Sequence, residues 1–161
     1  MRDDTPHNSP MPEPATGARQ AVMRELAAAE PGEIEAALGA LAPLPQHAEL
    51  RKPEVGLVML RGRIGGVGAP FNVGEATVTR AAVRLSTGEV GHSYVLGRVP
   101  GKARAAALID AIWQTAEGRA RVETCVLQPL LAAREQRAAT AAARTAATKV
   151  DFFTLVRGED A

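Results

Sequence analysis

The sequence predicts an α+β domain: an N-terminal helical hairpin, an antiparallel β-meander, then C-terminal helices that include one long Ala-rich helix. Three observations carry that expectation. Apolar residues recur at helical spacing up to Leu41, at a period of two between about Glu49 and Arg98, and at helical spacing again after Pro100. Glycine and proline mark the changes of period. The stretch from Leu131 to about Thr148 is rich in Ala and Arg with few helix breakers.

The elements follow in order. Residues 1–16 carry Pro6, Pro10, Pro12 and Pro14 among polar residues and read as a flexible tail, because they offer too little apolar surface to offset the entropy of ordering. Residues 17–161 read as a single domain. Thr16 is the expected N-cap of a first helix with Val22, Leu26 and Ala29 on one stripe, broken at Pro31-Gly32. A second helix carries Ile34, Leu38 and Leu41 and stops at Pro43 and Pro45. In the first strand Val55, Leu57, Met59, Arg61 and Arg63 fall on one face, and Val58, Leu60 and Ile64 on the other. A Gly-rich link, residues 65–70, leads to a second strand expected from Glu75 to Leu85. Thr87-Gly88 is a tight-turn signal before a third strand, Val90 to Gly97. Pro100-Gly101 opens a helix whose buried stripe is Leu108, Ile109, Ile112 and Trp113 and whose expected end is Gly118. Residues 119–129 fit no single pattern, with Pro129 as a break before the long helix. The ending, Val150 to Val156, is β-prone and apolar and is expected to pack down.

Composition narrows the function classes. The chain has 161 residues, 46% of them hydrophobic but only 3% aromatic, so its core is built from small aliphatic side chains and is thin. A partner surface is a natural place for such a chain to bury more area. Nineteen basic and 18 acidic residues leave a net charge of +1, which supplies no global field for nucleic acid or an anionic membrane. Most of the basic residues are Arg, which suits bidentate contact with phosphate or carboxylate; a high-GC coding sequence produces the same bias without functional meaning. The single cysteine, Cys125, excludes an internal disulfide and any multi-thiolate metal or iron–sulfur site within this chain. With no apolar run of spanning length and no apolar signal core at the N-terminus, the expected location is the cytoplasm.

No motif supplies a self-contained catalytic centre. Gly66-Val67-Gly68-Ala69-Pro70-Phe71 has Phe where a dinucleotide fingerprint needs its third glycine, and it leads into a strand rather than a helix. Gly97 to Lys102 is too short for a P-loop and has Ala103 where a magnesium-binding hydroxyl belongs. Two readings of the loop stay open: an anion-binding nest of the Gly65, Gly66 and Gly68 amides, or a plain hairpin turn. On the second strand Arg80 and Arg84 share a face with Ala76, Val78 and Ala82. If Arg61 and Arg63 fall on that same sheet face, four guanidinium groups gather beside the loop, suited to a polyphosphate or an acidic partner. The alternative is a solvated face with Arg stems lying over the alanines. His92 and Ser93 point to opposite faces of a strand and make no nucleophile–base pair, and His7, His47 and His92 lack metal-ligand spacing. Glu75, at the expected strand entrance, is either a general base or an ordinary solvated carboxylate.

Several segments carry a family resemblance. They are Arg61 to Gly68 (RGRIGGVG), Phe71, Gly74 to Leu85 (GEATVTRAAVRL), Gly97-Arg98 with Ala107 to Ala111, and the closing Val150 to Gly158 (VDFFTLVRG). In combination they resemble the PhnG family, the G subunit of the carbon–phosphorus lyase core complex, from about Gly17 to the end. The resemblance implies a cytoplasmic hetero-oligomer with subunits H, I and J, assisted by an ATPase-like L subunit. Together G, H, I and L would displace adenine from magnesium ATP with a phosphonate, leaving an alkylphosphonate on ribose C1 and a triphosphate on C5. The I subunit would hold the reacting centre, and the J subunit, with an iron–sulfur cluster, would later cleave the carbon–phosphorus bond. Magnesium ATP is then a substrate of the complex, and no cofactor is expected on this chain alone. No catalytic residue is carried over; Arg61, Arg63, Gly65, Gly66, Gly68, Arg80 and Arg84 are the candidates for anion or partner contact. A scaffold subunit without residues at the reaction site is the rival within the same system. A free-standing phosphate-binding protein is the rival outside it.

Overall fold

The computed structural model describes residues 16–63 and 67–148. The order of elements is α1 (Thr16–Ala28), α2 (Pro31–Ala40), β1 (His47–Gly62), β2 (Phe71–Leu85), β3 (Val90–Leu96), α3 (Pro100–Gln114), α4 (Ala116–Val122), a π-helical turn (Glu123–Leu127) and α5 (Gln128–Ala147). The strands form one antiparallel sheet in the order β1-β2-β3. The expected α+β architecture, with its helical hairpin, meander and long last helix, is therefore the one observed.

The core lies between α3 and one face of the sheet. Alternation along β2 turns Thr79, Ala81, Val83 and Leu85 inward, all buried, and β3 adds Ser93 and Val95. Against them α3 buries Leu108, Ile109, Ile112 and Trp113, the expected stripe, together with a floor of alanines. The alanines permit close approach. A Cβ on Gly91 would sit 2.0 Å from the Ala107 carbonyl oxygen, so β3 touches the α3 backbone where no side chain fits. Two buried hydroxyls lock this contact: Ser93 Oγ donates to Ala103 O (2.7 Å), and Thr79 Oγ1 donates to Gly97 O (2.6 Å) while accepting from the Val99 amide (3.0 Å). Gly97 makes the turn at φ +87°, a left-handed conformation that disfavours other residues.

α1 and α2 close the core with Val22, Leu26, Ile34 and Leu41. The buried Lys102 ammonium donates to the carbonyls of Ala27 (2.6 Å) and Ala29, satisfying the otherwise unpaired C-terminal end of α1. Burial pushes the Lys102 pKa below its ordinary value, and Glu30 and Glu33 oppose that shift.

Five boundaries differ from those read in the sequence. Thr16, expected to cap α1 from outside, is its first residue. Pro31-Gly32 does not end a run but forms the first turn of α2, where the Glu33 carboxylate accepts the Glu30 amide (2.9 Å). β2 starts at Phe71 rather than Glu75, because pairing with Gly62 and Arg61 extends the ladder past the loop. Thr115, not Gly118, ends α3: its hydroxyl accepts the Gly118 amide (2.9 Å) and caps α4. Pro129 does not break the chain: it follows directly on the π-helical turn, and residues 119–129 are helical throughout. The expected tail before Thr16 and the apolar ending from Val150 to Val156 lie outside the described residues.

The hairpin is longer than its support. β1 has 16 residues and β2 15, but β3 has only 7 and pairs with β2 only from Val78 to Arg84. Leu57–Gly62 and Phe71–Thr77 therefore continue as a two-stranded arm.

Candidate functional site

The arm and the adjoining sheet face hold the residues singled out in the sequence. In an antiparallel pair, residues directly opposite one another share a face. Val55 faces Thr79, Leu57 faces Thr77 and Met59 faces Glu75, so these side chains lie on the α3 side of the sheet. Glu54 faces Arg80, Gly56 faces Val78 and Val58 faces Ala76, so Arg80 belongs to the outer face with Tyr94 and Leu96 of β3. On the arm the core-side pattern persists with no helix to cover it: Leu57 is 63% exposed and Met59 54%. On the outer side Leu96 is 73% exposed and Tyr94 57%. With Leu60 of the arm 45% exposed on that outer side, apolar side chains face solvent on both sides of the sheet.

The structure does not gather the four arginines. Arg61 pairs with Asn72 near the tip, whereas Arg80 pairs with Glu54, seven residues back along β1. At roughly 3.3 Å per residue that is about 23 Å of strand. Arg84 lies farther away again, opposite Ala48. A register shift between Leu60 and Arg61 also interrupts the alternation that placed Arg61 beside Met59. Strand periodicity locates a face but does not reveal a bulge. At the tip, Arg63 Nη1 donates to Gly68 O (3.3 Å), so these two candidates do meet. Gly65 and Gly66 fall outside the described residues.

At the base of the outer face the charges are coupled. Glu54 Oε1 accepts from Arg80 Nε at 2.5 Å and from Arg51 Nη1. Arg51 first and Arg80 second hold the Glu54 carboxyl below its usual pKa. The Tyr94 side chain and then Glu54 push the Arg80 pKa above its ordinary value. Arg61 and Arg84, both exposed, take part in no ion pair among the described residues. Glu75 is exposed on the arm. His92 is exposed while Ser93 is buried, in keeping with opposite faces. Among the described residues no three His, Cys, Asp or Glu side chains are grouped to hold a metal ion.

Sequence reasoning missed one polar centre. Asp110, 0% exposed, accepts Arg19 Nε (3.0 Å), Arg19 Nη2 (2.7 Å) and the His92 amide (2.9 Å). This bidentate pair joins α1, α3 and β3. The available signal was a lone carboxylate between Ile109 and Ala111, inside the apolar stripe of α3. Arg119 stacks on Trp113, with the guanidinium carbon 4.6 Å from the ring centroid, and likewise ties α4 to α3.

A family model described as "Phosphonate metabolism protein PhnG" matches residues 17–158. The chain belongs to the PhnG family. The chain is also 54% identical over 143 residues to a protein of Rhizobium meliloti (strain 1021) named "Alpha-D-ribose 1-methylphosphonate 5-triphosphate synthase subunit PhnG", covering 88% of this chain and 90% of that one. The PhnG match spans the β1–β2 arm, the buried Asp110 and all five helices together, so the fold described above is this family's fold for the present chain. No helix among the described residues is long and apolar enough to cross a membrane.

Proposed function

We propose that this PhnG-family chain is a non-autonomous subunit of a ribose 1-methylphosphonate 5-triphosphate synthase. It would act in the cytoplasm with the H, I and L subunits, in a core complex that also holds J. The reaction joins a phosphonate oxygen to ribose C1 of magnesium ATP and expels adenine, leaving the triphosphate on C5. The observation that carries a subunit role is the arm: a helix-free hairpin with Leu57, Met59 and Val73 more than half exposed suits burial against another polypeptide.

Displacement at an anomeric carbon needs stabilisation of charge and exclusion of water, because water would hydrolyse the same bond. A companion that closes the I subunit's site favours transfer over hydrolysis. The tip residues Arg61, Arg63 and Gly68, with Gly65 and Gly66, are the candidates for contact with the triphosphate, through guanidinium groups and backbone N–H. Arg80 and Arg84 are the candidates for partner contact. One observation separates Arg80 from Arg61: Arg80 is already engaged by Glu54 and Tyr94, whereas Arg61 makes no ion pair among the described residues. Arg84 joins Arg80 by position, at the base of the sheet opposite Ala48.

Transfer assays on a reconstituted mixture of G, H, I and L test the proposal. Omission of this chain should abolish ribosylphosphonate formation. Arg61→Ala and Arg63→Ala should lower the transfer rate with assembly intact, while Arg80→Ala and Arg84→Ala weaken assembly. If all four substitutions leave transfer unchanged in assembled complexes, the chain is a scaffold with no residue at the reaction site. Turnover of a nucleotide by the purified chain alone would overturn the subunit reading.

A further inference from the structure

We infer that the β1–β2 arm is an insertion element, gripped on both faces by an apolar cleft of a different polypeptide that carries carboxylates at the end facing the arm's base. The inference rests on the subunit role proposed above and assigns it a surface and a partner chemistry.

The arm beyond Thr77 is two strands wide, and an isolated two-stranded ribbon is at best marginally stable in water. Antiparallel ribbons that lie on one core normally turn apolar residues inward and polar residues outward. This one does not. Leu57 (63%) and Met59 (54%) are exposed on the core-side face, and Leu60 (45%) on the outer face, continuous there with Tyr94 and Leu96 of β3. A single flat partner would cover one face and leave the other wet; a cleft covers both.

The charges select the occupant. The tip carries Arg61 and Arg63. The base of the outer face carries Arg51, Arg80 and Arg84 against the single carboxylate of Glu54, three cations minus one anion, an excess of two. Between them Glu75 is the one acidic residue. A second copy of the chain fits poorly in either orientation. Parallel alignment sets base against base, and antiparallel alignment sets the Arg tip against the Arg base, so like charges oppose both times. An unlike partner whose apolar cleft offers carboxylates to the base and leads to the triphosphate at the tip satisfies the whole surface. The partner's carboxylates and the triphosphate would be spaced by the distance from Arg80 to Arg61, about 23 Å along the strand.

The test uses the full-length chain co-expressed with the other synthase subunits, and pull-down on this chain as the readout. Leu57→Lys with Met59→Lys probes the core-side face, and Leu96→Lys the outer face. All three positions are already more than half exposed, so melting curves of the isolated variants should match the parent chain. Each variant should bind its partner roughly tenfold to thirtyfold more weakly, and Arg51→Ala with Arg84→Ala should reduce the salt dependence of the parent complex. Unimpaired capture by the core-side variant, with loss confined to Leu96→Lys, overturns the two-faced cleft. Unimpaired capture by both overturns the arm as the docking surface. A parent chain that sediments as a dimer broken by Leu57→Lys makes the occupant a second copy and overturns the unlike partner. A parent chain that captures no synthase subunit at all sinks the subunit role itself, and that result is separable from the others.

Discussion

Asp110 and Gly91 show how much a single position decides in this fold. Asp110 has no solvent exposure and three hydrogen bonds, two of them from a guanidinium whose side chain is 34% exposed. Asp110→Ala removes the carboxylate from Arg19, which keeps the Val90 carbonyl (3.3 Å), and removes the acceptor of the His92 amide. After allowance for water around Arg19, the expected loss is about 2–3 kcal/mol of unfolding free energy, measured by urea denaturation. Asp110→Asn keeps an acceptor and should lose about half as much. At Gly91 a methyl group would meet the backbone of Ala107 and Ala111, which has no rotamer to change. Gly91→Ala should therefore destabilise by about 3 kcal/mol, whereas Gly39→Ala, on an open surface of α2, should stabilise by about 0.5 kcal/mol. Thermal melts of the two variants make the comparison. Neither effect is legible in the sequence: a glycine in a strand and an aspartate in a helix look ordinary until the facing element is known.

Among the elements, α3 and α5 are opposites. α3 buries most of its length, while α5 buries only Leu130 and rests on α1 and α2 through Arg134–Glu25 (2.5 Å) and Arg137–Glu33. Exposed ion pairs of this kind contribute about 0–1 kcal/mol each. α5 owes its helicity to alanine and its position to a short contact, and its outer half is exposed on every side. Amide hydrogen exchange should reflect this. Amides of α5 after Arg137 should exchange roughly a hundredfold faster than those of Ala105 to Ile112 in α3. The composition of this helix announced its existence and length. The alternation in β1 and β2 likewise announced the hairpin, yet not the register shift after Leu60, because that shift lies in how the two strands pair and not in the pattern of either.

Taken whole, the molecule pairs a small aliphatic core with an apolar surface it cannot cover by itself. Leu57, Met59, Val73, Tyr94 and Leu96 are each more than half exposed. The isolated chain at neutral pH should bind anilinonaphthalene sulfonate while keeping a cooperative melt, and the Leu57→Lys, Met59→Lys variant should bind less dye at the same melting temperature. Dye binding equal in both would place the accessible apolar surface elsewhere.

Sequence alone determined the α+β class, the order of its elements, the stripe of α3 and membership of the PhnG family, because each is written in local periodicity or in contiguous motifs. Tertiary structure alone decided that Arg61 and Arg80 stand far apart, that Asp110 is sealed by Arg19, and that the hairpin outruns its cover. Those outcomes depend on register and on the relative lengths of paired strands. Such quantities belong to two segments at once and cannot be read from either.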